Sequence, residues 1–196
     1  MEPIYEDEQL LVCIKPRGVL SCKDASGKPS MEDLLAPRTV FPVHRLDREV
    51  TGLMVFAKTG SAAAHLSNME GFCKEYQAIC EGTPPENGEW TDLLYHDRFK
   101  NKTYVVKRKR NGVKEARLSY TLLEQGAESR VAVRLHTGRT HQIRVQFASR
   151  GYPLRGDRKY GAKTGGDIAL CACHLSFTHP DGRTLDFSIE PDWAMP

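Results

Sequence analysis

The sequence predicts an α+β protein built on a mixed, mostly antiparallel sheet with flanking helices. Three observations carry this. Short apolar or alternating runs recur along most of the chain. Many of the turns between them are too short to return a parallel strand. Only a few segments read as helices, and they are spread among the strands. No repeat, low-complexity tract or boundary-like linker interrupts the 196 residues, so one domain over 1–196 is expected.

In order, Leu10–Lys15 is a strand candidate closed by the turn Pro16-Arg17-Gly18. Residues 30–35 read as a short helix with Ser30 as N-cap and Asp33 three residues on. A buried strand over 53–57 leads into an alanine-rich helix over 59–70, stopped by Gly71. A strand over 75–80 puts Tyr76 and Ala78 on one face, and the loop Thr83-Pro84-Pro85-Glu86-Asn87-Gly88 follows. Strand patterns then run over 91–95, 104–107, 116–123 and 130–135. Asn111-Gly112 predicts a hairpin between the second and third of these, with Lys107 to Arg110 at its tip. A helix over 140–150 follows the turn Thr137-Gly138-Arg139, and strands over 169–177 and 184–189 close the chain around His179-Pro180-Asp181-Gly182.

Forty per cent hydrophobic residues support a real core, and no apolar stretch is long enough for a bilayer. The acidic start, Met1-Glu2-Pro3-Ile4-Tyr5-Glu6-Asp7-Glu8, has no apolar secretory segment, so a cytoplasmic protein with no membrane association is expected. Net charge is only +3, from 28 basic and 25 acidic side chains, but the basic ones cluster. They gather at 100–102, at 107–110, and at Arg134, Arg139, Arg144, Arg150, Arg155, Arg158 and Lys159. The plainer reading of 107–110 is a solvated turn; the later arginines recur too steadily for that. Six cysteines, at 13, 22, 73, 80, 171 and 173, read as reduced thiols. Cys171-Ala172-Cys173-His174 has no second ligand pair at zinc-like spacing, so core packing is expected and no metal.

Two constellations point to chemistry. The run His44-Arg45-Leu46-Asp47-Arg48-Glu49-Val50-Thr51-Gly52 sets one carboxylate between arginines at the mouth of an apolar strand. Such an Asp stays ionised and can attack an electrophile, as the carboxylates of retaining glycosidases attack an anomeric carbon. The plainer reading is an Asp that caps a turn or pairs with Arg45 or Arg48. The second constellation, Arg134-Leu135-His136-Thr137-Gly138-Arg139-Thr140-His141-Gln142-Ile143-Arg144-Val145, gathers three arginines and two histidines at a helix start. Free amides there, with Arg139, would hold a phosphate. Along the helix a cationic line through Arg144 runs beside an apolar line through Ile143 and Phe147.

These segments resemble the RluA family of RNA pseudouridine synthases. The Asp47 run is similar to the family's catalytic-aspartate motif. Lys15-Pro16-Arg17-Gly18 resembles the Lys-Pro-x-Gly motif, and Lys74-Glu75-Tyr76-Gln77-Ala78 the Lys-x-Tyr-x-Ala motif. Thr137 to Arg144 resembles the third motif, continued by Gly151-Tyr152-Pro153, Gly156-Asp157 and Tyr160-Gly161, and Val113-Lys114-Glu115-Ala116 resembles the Gly-Lys-Glu-Ala piece before it. The resemblance runs from about Ile4 to Ile189 and covers the catalytic domain, so no accessory domain of the S4 type is expected.

The resemblance implies the pseudouridine synthase fold with a central catalytic cleft, and a uridine-to-pseudouridine isomerase acting on ribosomal or transfer RNA. It implies Asp47 as nucleophile, Arg144 as its basic partner, and Tyr76 against the target uracil. Ile143 would lie beneath that base and Arg45 would help open the RNA, with Arg139, His44 and Lys15 among the substrate contacts. No cofactor or metal is expected, since neither redox state nor atom count changes, and a monomer is the default. Val50-Thr51-Gly52 departs from the usual Thr-Ser-Gly, and Gln146 stands where His is common. One rival is a catalytically inactive RNA-binding module of this fold. Another is a hydrolase, which needs a second carboxyl group as general acid; the motif regions offer only Glu49 and Glu75.

Overall fold

The computed structural model describes residues 1–68 and 71–193. In chain order the elements are β1 (Tyr5–Glu6), β2 (Leu10–Lys15), α1 (Met31–Leu35), β3 (Phe41–Pro42), β4 (Thr51–Ala57), α2 (Gly60–Asn68) and β5 (Cys73–Glu81). There follow β6 (Asn87–Asp97), β7 (Lys102–Val106), β8 (Val113–Glu124), β9 (Glu128–Leu135), α3 (Gln142–Ala148), a 3-10 turn (Arg158–Tyr160), β10 (Leu170–Thr178) and β11 (Thr184–Ser188). This is the α+β class the sequence predicts. The chain divides into two compact units: Met1–Lys74 with Cys171–Pro191, and Glu75–Leu170 with Asp192 and Trp193. Among the described residues no helix is long and apolar enough to cross a membrane.

In the first unit β4 is the central strand, and all seven of its residues are buried. That is why Leu53-Met54-Val55-Phe56-Ala57 reads as an unbroken apolar run rather than an alternating one. β2 pairs antiparallel along β4 from Leu10 opposite Ala57 to Lys15 opposite Gly52. β1 pairs with β2, β11 with β10 and β3 with the end of β4, all antiparallel. β10 meets the start of β4 in parallel, with Cys171 opposite Thr51 and Ala172 opposite Gly52. Leu10, Val12, Leu53, Val55, Leu175 and Phe177 form the core with Ala62 and Leu66 of α2. α1 begins with the capping box expected of Ser30 and Asp33. The predicted helix over 59–70 is α2; Met69 and Glu70 lie outside the described residues. Cys171 and Cys173 are buried, and Leu175 and Phe177 share the core, as their alternation implied.

The second unit is antiparallel throughout, in the order β5-β9-β8-β6-β7. This corrects the hairpin expected at Asn111-Gly112. β7 and β8 do not pair with each other but flank β6, so Tyr95 faces Tyr104 on one side and Val113 on the other. A tight turn does form there, with Val113 N donating to Arg110 O at 3.0 Å and Gly112 at φ +79°, yet it belongs to a connection that crosses β6. Alternation shows which face a strand buries but not which strand lies beside it.

α3 also differs from expectation. His141 at its N-cap has a left-handed backbone, φ 55°, which starts the helix at Gln142 rather than 140. Gln142 through Phe147 are all buried, Arg144 among them, which is not the solvated face of an ordinary amphipathic helix. Phe147 packs against Trp90 and Tyr120, with ring centroids 4.7 and 5.4 Å apart. Asp92 of β6 clamps the helix, accepting from Gln146 Nε2 at 2.7 Å and from Arg150 through two bonds of 2.9 and 3.2 Å.

Candidate active site

The first unit carries Asp47 on a turn whose neighbouring peptides are held from both sides. Val50 N donates to Asp47 O at 3.1 Å, closing the turn that delivers the chain into β4. Before Asp47, Leu46 O accepts from Ser21 Oγ at 2.7 Å while Leu46 N donates back to the same oxygen at 2.9 Å. After Asp47, Arg48 O accepts from Gly18 N at 2.8 Å and from Lys15 Nζ at 3.1 Å. The loop closed by Lys15-Pro16-Arg17-Gly18 therefore clamps the turn, and Asp47 itself stays half-buried. Arg48 pairs with Glu49, at 2.7 Å.

Two residues expected to touch substrate take internal positions. Lys15 is wholly buried, and its ammonium donates to Pro16 O at 2.9 Å and Val19 O at 2.7 Å besides Arg48 O. All three N–H bonds are thereby taken, so it is a brace rather than a phosphate contact. Burial pushes it down to about 8, against the pull of the Glu49 and Asp47 carboxylates. His44 accepts from Val55 N through Nε2 at 3.2 Å and lies edge-on to Phe72, centroids 5.4 Å apart. Burial and the nearby Lys74 ammonium push it down to about 3, so it is neutral. Arg45 is exposed.

The strand start explains the Thr-Gly pair. Thr51 Oγ1 donates to Lys15 O at 2.9 Å, tying β4 to the same loop. Gly52 has φ +130°, and a Cβ there would lie 2.4 Å from Ala172 O. Only glycine permits β10 to approach so closely.

The second unit holds Tyr76, Ile143, Arg144 and Arg139. Tyr76, on β5 opposite Val133 of β9, and Ile143 are both buried. Arg144 is 3 % exposed and forms a bidentate pair with Asp157, which is 1 % exposed, at 2.6 and 2.9 Å. Its guanidinium carbon lies 5.2 Å from the centre of the Tyr160 ring. The Tyr160 hydroxyl meets His141 Nδ1 and Thr103 N, each at 2.8 Å, and Thr103 Oγ1 donates to Thr140 O at 2.8 Å. Asp157, Tyr160 and Thr103, like Ser21 in the first unit, have structural roles that no sequence spacing announced. Asp157 and Tyr160 did fall within the resemblance. Arg139 is half-exposed and donates through Nε to Glu115 O at 2.9 Å, while its own N–H donates to Gln142 Oε1 at 3.0 Å. That amide, expected to hold a phosphate, is therefore capped by a side chain.

Residues 9–149 match the family model described as RNA pseudouridylate synthase. The chain belongs to that family. It is 33% identical over 177 residues to the ribosomal large subunit pseudouridine synthase D of Yersinia pestis, covering 83% of this chain and 53% of that protein. It is 33% identical over 220 residues to an RNA pseudouridine synthase of Aquifex aeolicus, covering 95% of this chain and 68% of that one. The chain thus spans between half and about two thirds of these relatives' lengths. The structure of human RNA Pseudouridylate Synthase Domain Containing 1 superposes with a TM-score of 0.79 at 20% identity, covering 96% of this chain and 82% of that chain; this likeness establishes the pseudouridine synthase fold.

Proposed function

We propose that the protein isomerises a uridine of structured RNA to pseudouridine, with Asp47 as the nucleophilic carboxylate. The reaction breaks N1–C1′, turns the uracil and forms C5–C1′; C5 loses its proton to solvent and the freed N1 takes one up. Atoms and electrons balance without a cofactor. Arg144 steadies the Asp47 carboxylate, Tyr76 packs against the uracil, Ile143 supports it, and Arg45 takes the place of the everted base, whose unstacking costs about a few kcal/mol. The two units serve one catalytic domain, working as a monomer in the cytoplasm. The large-subunit function in the name of the Yersinia relative favours ribosomal over transfer RNA.

The observation that carries this reading is the clamp around Asp47. Ser21, Gly18 and Lys15 fix the peptides on either side of one half-exposed carboxylate. A nucleophile benefits from such fixed aim; a residue that only closes a turn has no use for it. The test is tritium release from RNA transcribed with 5-tritiated uridine. Asp47→Asn should release none while its RNA affinity stays within about twofold, a carboxamide being isosteric but no nucleophile. Substantial residual turnover would remove Asp47 from this role. A wild-type protein that binds RNA yet converts no uridine would leave the inactive binding module as the correct reading. Mapping pseudouridines in cells with and without the protein then identifies the RNA.

A further inference from the structure

We propose that the hairpin tip between β6 and β7, residues 98–101, is an RNA-docking arm whose Phe99 ring stacks on an unpaired base. The inference rests on the RNA substrate class of the proposed function and adds a contact outside the catalytic residues. Phe99 is fully exposed, while the next most exposed large hydrophobic residue among the described residues, Ile4, is half covered. A single exposed apolar side chain is ordinary. A whole ring held out on an ordered turn between cations is not.

The turn is braced at Arg98, Lys100 and Asn101, the residues around the ring. Lys100 N donates to Asp97 Oδ1 at 3.1 Å and Asn101 N to Arg98 O at 3.4 Å. Asn101 takes the left-handed backbone, φ 44°, and its carbonyl accepts from Lys159 Nζ at 3.0 Å. Rigidity here lowers the ordering cost of binding. Arg98 and Lys100 flank the ring and are exposed, as are Arg158 and Lys159. A ring so framed suits a partner that offers flat π-faces along an anionic backbone, which is single-stranded nucleic acid.

The arm also leads toward the catalytic residues of its own unit. Lys102, at the root of β7, sits 5.4 Å from the Tyr160 ring, and Tyr160 lies against Arg144. A strand bound at the tip would follow cations from Lys100 to Lys102 toward that site.

The test uses the intact chain and two fluorescein-labelled RNAs: a hairpin with a seven-nucleotide uridine-rich loop, and a fully paired duplex of the same stem sequence. Phe99→Ala should weaken binding to the hairpin by about 5- to 150-fold, the loss of one base–aromatic stack, and leave duplex binding within about twofold. Phe99→Trp should retain hairpin affinity, and its added emission should be quenched by the hairpin and not by the duplex. Hairpin binding by Phe99→Ala within twofold of wild type overturns the proposal, and so does equal weakening for both RNAs. Tritium release keeps the two readings apart. A wild-type protein that turns over uridine, with Phe99→Ala unaffected in binding, sinks the arm alone. Loss of loop binding in Phe99→Ala, with no turnover by wild type, sinks the proposed reaction and leaves the arm.

Discussion

Arg144 and Asp157 are a guanidinium and a carboxylate removed from water together, and each needs the other more than a surface pair would. Removing one partner from such a pair costs about 3–5 kcal/mol, because the other stays buried and uncompensated. Asp157→Asn keeps the shape and removes the charge, so urea unfolding should show a loss toward the lower end of that range. If Asp157 also aims Arg144 at the nucleophile, tritium release should show kcat falling with KM nearly unchanged. Arg144→Met should lose most turnover, and near-normal rates would contradict its proposed pairing with Asp47. Lys15 gives a pH signature. Folding lowers its ammonium from 10.5 to about 8, so the unfolded chain binds that proton more tightly between those values. The group's contribution to stability is therefore flat below about 8 and rises with pH up to about 10.5, by at most about 1.4 kcal/mol per pH unit. The stability difference between wild type and Lys15→Met should shift in favour of wild type across that window; a constant difference would refute it. Asp47, Tyr76 and Arg144 could be singled out as candidates because their motifs are local in sequence. Asp157 as the partner of Arg144, and Ser21 as that of Leu46, could not be, since contacts 13 and 25 residues apart follow no helical or strand period.

At the level of elements, the longer strands were found, but not the two-residue strands β1 and β3, nor which strand lies beside which. β2 was legible residue for residue because an apolar run ends at a Pro-Arg-Gly turn. β4 reads two residues short because Thr51 and Gly52 look like turn residues, although their places in the strand depend on β10. The β6 pairing was misread because Asn-Gly favours a tight turn without saying whether the strands it joins are adjacent. Gly52→Ala tests the strand that follows the turn bearing Asp47, the proposed nucleophile. The positive φ alone costs about 1–3 kcal/mol for a residue with a side chain, and the overlap with the Ala172 backbone adds to it. Urea unfolding should show a loss above that range's lower bound. Because the ladder begins at the residue after Val50, tritium release should fall further than the unfolded fraction accounts for. Unchanged turnover would mean that the β4–β10 ladder does not position Asp47.

For the whole molecule, composition was the least informative signal: a net charge of +3 is compatible with almost any partner. Distribution says more, because α3 and its neighbours take several of the arginines out of solvent. Arg144 is paired with Asp157, and Arg150 with Asp92 while its guanidinium lies 4.3 Å from the Trp90 ring. The cations left exposed for phosphate include several on turns. On the connection from β7 to β8, Lys107 through Arg110 are all exposed, and of these Arg110 is engaged, its guanidinium 4.9 Å from the Tyr95 ring, which leaves Lys107, Arg108 and Lys109. RNA affinity should therefore fall steeply with salt. Replacing those three residues together with glutamine should make the log–log slope shallower by about 2–3, since each phosphate left without its cation removes about 0.7–0.9. Fluorescence titrations of labelled RNA between about 50 and 200 mM salt measure this. Turnover at saturating RNA should be unchanged, since none of the three is near Asp47 or Arg144 in sequence or bonded to either. An unchanged slope would return the run to the plainer reading, a solvated turn that meets no nucleic acid.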